Sequence, residues 1–333
     1  MRRGILAGGN FIVDAVKTID VWPREQALAN IRREYSGSGG SSYNVLLCLA
    51  KLGCEFPLAG IGRIGDDEAG RSIVEHCRRH GIDVSRLIVS AEAPTSYTLV
   101  FVVESTGRRT FFHQRGANAL LADGDFDFSA FGGWHFHFGY PLLLDRLDAE
   151  DAEFGTAGAR VLARARRAGL TTSVDLVSED GDRFGVVVPP LLKHADIAFM
   201  NEFEASRLTG LGLSEPSPSR VREARDALGF AGTLVVHWAE GAAACPPTGE
   251  VEWQPSVRLP QEKIASVAGS GDAFAAGYLL GFARDLPERA RLRLGVCAAA
   301  SSVMGFTCTD AVSSEEECFL LEETYGFNRR PLS

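Results

Sequence analysis

Chemistry concentrates at Gly269-Ser270-Gly271-Asp272, which runs directly into Ala273-Phe274-Ala275-Ala276-Gly277-Tyr278. Small residues let successive backbone N–H groups converge, and the apolar stretch behind them predicts a helix whose positive end faces the same point. Such a nest holds the charge that develops on a transferring phosphoryl group. An aspartate at the mouth of that helix is placed to take a proton from an attacking hydroxyl. A plainer role is open to Asp272 as well, because acids in a first turn stabilise the helix dipole. Taken alone, the four residues leave both roles open. His135 and His137 are a second cluster: they share one face of a strand, opposite Trp134, Phe136 and Phe138. That spacing suits a metal, but a strand end beside a substrate pocket accounts for it more simply.

The elements that must position these groups alternate between short β-type runs and helical patterns closed by glycine, which predicts a parallel sheet covered by helices. Gly4 to Gly8 and Phe56 to Ile61 read as strands. Ser41 and Ser42 are expected to cap a helix with Val45, Cys48, Leu49 and Leu52 on one face, stopped at Gly53. Ala69, Ile73, Val74 and Cys77 give another apolar face, ended by Gly81. Helix–glycine–strand units recur at 157–176 and 220–237. One region breaks the alternation. Ser96 to Val103 and Arg109 to Gln114 flank Ser105-Thr106-Gly107 and predict a hairpin. Phe11 to Val21 is a further extended run, and these segments are expected to form a small sheet projecting from the main layer.

The bulk of the chain agrees with an enzyme of this class. Its 333 residues are 45% hydrophobic and 23% charged, enough to bury a sizeable core. A net charge of -9 with interspersed signs argues against a nucleic-acid or anionic-membrane partner. Seven scattered cysteines without a C-x-x-C pair read as reduced thiols rather than a zinc site. The opening MRRGILAGGNFIVD has no sustained apolar run, and no segment reaches the length of a membrane span, so the expectation is a cytoplasmic protein.

Several motifs in order give the chain a resemblance. Ser266-Val267-Ala268-Gly269-Ser270-Gly271-Asp272-Ala273-Phe274 resembles the C-terminal signature of the ribokinase-like, or PfkB, carbohydrate kinases. Gly39-Gly40-Ser41-Ser42-Tyr43-Asn44 through Gly53 resembles the N-terminal one, Gly60 to Asp67 the family's G-x-x-G-x-D segment, and Asn201-Glu202-Phe203-Glu204 its N-x-x-E motif. The resemblance covers nearly the whole chain. It implies one three-layer α/β/α domain over residues 1–333, with a β-sheet lid drawn from about 11–35 and 96–117. It also implies ATP-dependent phosphorylation of a hydroxyl on a sugar or sugar-like molecule, and a homodimer paired through the lid.

Residue by residue, the resemblance makes Asp272 the base and Gly269, Ser270 and Gly271 the anion hole. Asn201 and Glu204 organise Mg²⁺ and the phosphates through water, a role compatible with helix N-cap and first-turn acid. Asp14, Gly39, Gly40 and Asn44 match the sugar contacts. A carboxylate and an amide suit vicinal hydroxyls, and glycines permit close backbone approach. Arg109 and Arg115 are candidates to reach the substrate from the second lid run. His237, Ala239 and Gly241 stand in the nucleotide segment, Gly271 again lies against the phosphates, and Cys297 replaces an asparagine often found near the adenine.

The chain also departs from the pattern. Ser266 and Val267 replace the signature's leading Asp and Thr, the former of which helps many relatives bind a monovalent cation. His237-Trp238-Ala239 replaces T-L-G, and the D-x-N-x-R segment survives only as Asp175. A nucleoside or a 2-keto-3-deoxy sugar acid therefore stands beside a neutral sugar as substrate. A catalytically weak ligand-binding protein on the same fold is the rival of another class. A dinucleotide oxidoreductase is disfavoured because no G-x-G-x-x-G follows the first strand.

Overall fold

A computed structural model of the chain describes residues 4–129 and 133–329. Arg2, Arg3 and both ends of the expected 1–333 domain lie outside them. The strands are β1 (Ile5–Gly9), β2 (Ile12–Ile19), β3 (Ile31–Gly39), β4 (Leu58–Gly65), β5 (Asp83–Ser90), β6 (Ser96–Val103), β7 (Arg109–Gln114) and β8 (His135–Gly139). They continue with a two-residue ribbon, β9 (Glu150–Asp151) and β10 (Gly155–Thr156), then β11 (Thr171–Asp175), β12 (Ile197–Asn201), β13 (Thr233–Trp238), β14 (Gly241–Cys245) and β15 (Glu252–Pro255). Interleaved are the helices α1 (Ser41–Lys51), α2 (Glu68–Arg79), the single turn α3 (Asp145–Asp148), α4 (Ala157–Arg167) and α5 (Phe184–Leu192). The last five are α6 (Glu202–Thr209), α7 (Pro218–Ala227), α8 (Ser270–Ala283), α9 (Glu288–Ser302) and α10 (Glu315–Tyr325).

Among the described residues nine strands form one sheet in the order β15-β14-β13-β12-β11-β8-β1-β4-β5. Pairing is parallel from β5 to β13 and antiparallel through β14 and β15. Strict alternation divides the side chains between two cores. Leu6, Phe136, Phe138, Val174, Met200 and Leu234 pack on one face, against α4, α5 and their neighbours. Ile5, Ala7, Ile197, Phe199 and Val235 pack on the other, against α1, α8 and α9. The same alternation sends His135, His137, Ser173 and Asp175 toward that second layer, where each is buried.

The extended run and the hairpin expected to leave the main layer do so. They form a separate four-stranded sheet, β3-β2-β6-β7. Its central pair is parallel, Ile12 through Ile19 lying beside Ser96 through Val103, and both outer pairs are antiparallel. Tyr35 on β3 stacks on Phe306 at a centroid distance of 4.4 Å and ties this sheet to the loop after α9.

One expectation is corrected. Neither Ser41 nor Ser42 caps α1; the N-cap is Gly40, at φ +85°, where an L side chain is strained. Both serines lie inside the first turn. Their hydroxyls turn to the sheet instead, and Ser42 is pressed against Gly139, where a Cβ would come within 2.7 Å of its N and Oγ atoms.

Helix α8 is held close to α9 by missing side chains. A Cβ on Gly277 would meet the Leu294 carbonyl oxygen at 2.7 Å, and one on Gly295 would meet the Phe274 ring at 2.8 Å. Gly277→Val therefore forces the two helices apart. It should cost about 1–3 kcal/mol in thermal or urea unfolding, and an unchanged midpoint would show that the contact is soft.

Candidate active site

The candidate residues converge at the carboxyl ends of the parallel strands, where open α/β sheets leave a crevice. Asn10 follows β1, Tyr140 follows β8, Asp175 ends β11, Asn201 ends β12 and His237 lies near the end of β13. Helix α8 enters the same crevice with its N-terminus. Gly269 is its N-cap at φ +75°, and a Cβ there would lie 2.4 Å from that of Cys308. Gly271 is similarly tight against the His237 ring, which a Cβ would meet at 3.3 Å. First-turn N–H groups of a helix have no intrahelical acceptor, so this end of α8 can receive an anion.

Asp272 sits in that first turn and is 1% exposed. Its Oδ2 accepts from Asn44 Nδ2 at 2.8 Å and from the Tyr140 hydroxyl at 3.1 Å. Its Oδ1 is buried and has no partner among the described residues. One oxygen is thus anchored and the other is not. Burial raises the Asp272 pKa, while hydrogen bonds from Asn44 and Tyr140 pull it back down. Asp175 beside it is pushed well above the carboxylate range, first by burial and then by the charges of Asp272 and Glu204. Burial thus raises both carboxyls, and Asp175 is raised further by the charge of Asp272.

Asp14 on β2 opens toward the same crevice. Gly39, two residues along β3 from Gly37, which pairs with Asp14, is the reason it fits, since a Cβ there would fall 2.2 Å from Asp14 Oδ1. Cys308 Sγ donates to Asp14 Oδ2 at 3.4 Å, and burial raises this carboxyl to about 7. Asn201 and Glu204 form a reciprocal cap on α6: Asn201 Oδ1 accepts the Glu204 N–H and Glu204 Oε2 accepts the Asn201 N–H, both at 2.9 Å. Ser178 donates to Glu204 Oε1 at 2.8 Å, and burial lifts Glu204 to about 7.

Other sequence candidates take different places. Arg109 reaches across from the lid to Ser266, with Nη1 3.4 Å from Oγ, and both line a cavity of about 360 Å³ between lid and main layer with Tyr35, Val267 and Phe306. Arg115 braces the turn after β8 by donating to the Leu142 carbonyl at 2.9 Å. Ala239 is exposed, and Gly241 is buried in β14 against the Gln254 carbonyl. Cys297 is fully buried with its thiol 3.7 Å from Glu322 Oε2, so it joins α9 to α10 and offers no surface to a nucleotide. His135 and His137 are fully buried and bonded to Ser, Thr and each other's neighbours; among the described residues no cluster of three acidic, cysteine or histidine ligands exists.

Sequence reasoning missed Tyr140, Ser41 as a polar partner, and Cys308. Tyr140 had no motif to mark it. It sits at φ +49°, uncommon for a residue with a side chain, and Asn10 Nδ2 holds its carbonyl at 2.9 Å. The position of Tyr140 after a strand that ends in glycine was the one available signal.

A model of the pfkB family of carbohydrate kinases matches residues 9–315. The chain belongs to that family. It is a carbohydrate kinase, a phosphotransferase with an alcohol as acceptor. Among curated pfkB relatives, the chain is 27% identical to an ATP-dependent ribose-1-phosphate kinase of Halopiger xanaduensis, over 90% of this chain and 91% of that one. It is 30% identical to an aminoimidazole riboside kinase of Salmonella typhimurium, over 74% of each. Among solved structures, Arabidopsis thaliana ribokinase complexed with ribose and ATP superposes with a TM-score of 0.78 at 20% identity, covering 96% of this chain and 99% of that one. That similarity establishes the ribokinase-like fold, with its large, mostly parallel sheet and smaller lid-like sheet.

Tyr140→Phe removes one of the two donors on Asp272 Oδ2. The ionised form loses support, so the acid limb of kcat/KM should move to higher pH and turnover at neutral pH fall about tenfold. An unshifted pH profile would separate Tyr140 from Asp272.

Proposed function

We propose that this pfkB kinase transfers the terminal phosphoryl group of ATP to a hydroxyl of a small sugar-like molecule, with Asp272 as general base. The observation that carries the reading is the asymmetric carboxylate: Oδ2 anchored by two donors, Oδ1 buried and unpartnered, at the N-terminus of α8. A substrate hydroxyl directed at Oδ1 gives up its proton as its oxygen attacks. The N–H groups around Gly269, Ser270 and Gly271 face the charge that develops on the transferring group. Asp14 and Asn44 accept and donate to neighbouring hydroxyls, and Gly39 and Gly40 let the ligand approach the backbone. The lid sheet covers that region and excludes water, which competes as phosphoryl acceptor.

The nucleotide is assigned to the side of Asn201, Glu204, His237, Ala239 and Gly241. Burial lowers His237 to about 4, so it meets the phosphates as a neutral donor. Mg²⁺ suits the residues present. It takes oxygen ligands, keeps several waters and needs only one or two carboxylates beside substrate phosphates, and Glu204 would supply one carboxylate with the amide oxygen of Asn201 beside it. When bound, the ion neutralises phosphate charge. Solvent-facing Trp22, Phe111 and Phe112 on the lid favour a homodimer closed through that sheet. No described helix is long and apolar enough to cross a membrane, and a cytoplasmic setting fits the free thiols.

Asp272→Asn preserves shape but cannot accept the proton. Turnover should fall by about 10²–10⁴ while substrate, found by a thermal-shift screen of sugars, sugar acids and nucleosides, still raises the melting temperature. Near-normal kcat would reduce Asp272 to a helix-dipole acid. Asp14 gives a pH dependence of known sign. The carboxylate accepts hydrogen bonds from hydroxyls more strongly than the neutral acid does, and burial raises its pKa to about 7, so KM should fall as pH rises from 6 to 8. Asp14→Asn should raise KM and flatten that dependence; a flat wild-type profile would mean that Asp14 does not touch substrate.

A further inference from the structure

Behind Asp272 a file of polar side chains crosses the sheet layer without a break. Ser41 Oγ lies 2.9 Å from Asp175 Oδ2 and 3.1 Å from His137 Nε2. His137 Nδ1 lies 2.8 Å from Ser173 Oγ, which lies 2.8 Å from His135 Nε2. His135 Nδ1 lies 2.8 Å from Thr171 Oγ1, and that hydroxyl reaches the Trp134 carbonyl at 3.2 Å. Parallel register builds the file, since His135 is paired with Thr171, His137 with Ser173 and Gly139 with Asp175. Ser41, His137, Ser173 and His135 are buried; Thr171 is half-exposed, at the edge of the sheet away from the crevice.

Each of the five members can both donate and accept, so the file has two complete polarities. In one, Asp175 carries a proton and donates to Ser41, Ser41 to His137 Nε2, His137 Nδ1–H to Ser173, Ser173 to His135 Nε2, His135 Nδ1–H to Thr171, and Thr171 to the Trp134 carbonyl. In the other, Thr171 donates to His135 Nδ1 and every later bond reverses, ending in Ser41 donating to an ionised Asp175. The two differ by one proton. Both rings stay neutral throughout and differ only in tautomer, as their pKa values of about 3, lowered by burial, require.

The geometry points to a proton relay: Ser41, His137, Ser173 and His135 connect the Asp175–Asp272 pair to Thr171 on the opposite edge of the sheet. Its use in turnover rests on Asp272 being the base. When Asp272 takes the hydroxyl proton, Asp175 hands its own to Ser41, each member passes one on, and Thr171 releases one to water. The pair keeps a single negative charge while the lid is closed. Once Asp272 loses its proton through the open mouth, one re-enters at Thr171 and restores Asp175. Two protons leave and one returns, so the net release is the one taken from substrate. The groups facing Asp175 are Asp272 from α8, Glu204 from α6, Ser41 from α1, and His137 and Tyr140 from β8 and the turn after it.

The test needs neither ATP nor substrate. Protein labelled with nitrogen-15 at histidine reports Nδ1–H and Nε2–H tautomers separately, and carbon-13 carboxyl signals follow the aspartate pair. His135 and His137 should always share one tautomer. Both should be Nδ1–H while Asp175 is protonated and switch together to Nε2–H as it ionises at higher pH; Ser173→Ala should uncouple them. Opposite tautomers at rest, with Ser173 accepting from both rings, would overturn the relay, and so would rings that stay fixed while Asp175 titrates. A kinetic arm reads its use: Ser173→Ala should lower kcat on the order of tenfold at unchanged KM, and wild-type kcat would leave the file without a part in turnover. Absence of any kinase turnover would instead strike the function proposed above and leave the tautomer result standing.

Discussion

A carboxylate removed from water resists ionisation, because desolvation penalises its charged form by several kcal/mol unless nearby groups replace the lost solvent. Asp272 is almost wholly out of water, and the arrangement around it serves that single charge. Asn44 from α1 and Tyr140 from the turn after β8 donate to one oxygen. The first turn of α8 adds its own dipole. Asp175, pressed close, is pushed well above the carboxylate range by burial and by the charge of Asp272, so the pair resists carrying two charges in the same low-dielectric space. Three separate stretches of chain thus meet at one carboxyl group.

The sheet is what makes that meeting possible. Parallel strands deliver their last residues to one edge, and period-two alternation decides which side chains fall inside which layer. Phe136 and Phe138 fill one core while His135 and His137, from the same five residues, run through the other. A strand with apolar residues on one face and histidines on the other is costly in an ordinary core. Ser173 and Thr171 at matching register on β11, with Ser41 from α1, partner every ring nitrogen and offset the penalty.

Most of the architecture was legible because it follows from periodicity and punctuation. The main-layer strands β1, β4, β8, β11 and β13, the glycine-stopped helices and the hairpin around Gly107 all rest on local pattern, and the ordered motifs reached the family. Legibility ended where a role depends on what lies opposite in space. Ser41 looks like a helix cap, but α1 begins at Gly40 and the serine hydroxyl belongs to the sheet. Tyr140 carries no local pattern, and its meaning comes from Asp272, 132 positions on. Cys297 was placed by analogy with an asparagine, whereas packing of α9 on α10 buries it. Asp175 read as the remnant of a lost motif; its partner across the crevice gives it a chemistry of its own.

The lid's central pair is parallel, Ile12 to Ile19 beside Ser96 to Val103, and that has a consequence for the order in which the molecule assembles. Parallel neighbours cannot be joined by a tight turn, so the chain between them must first travel through α1, β4, α2 and β5. Loop-closure entropy makes such a distant pairing slow unless intervening structure has already shortened the path. The hairpins β2–β3 and β6–β7 can close early, each by itself. Their union waits until the first parallel strands of the main layer have brought residues 12 and 96 side by side. The cover over the crevice is therefore a late product of folding that depends on the body beneath it, and a lid cut free of that body would be two unattached hairpins.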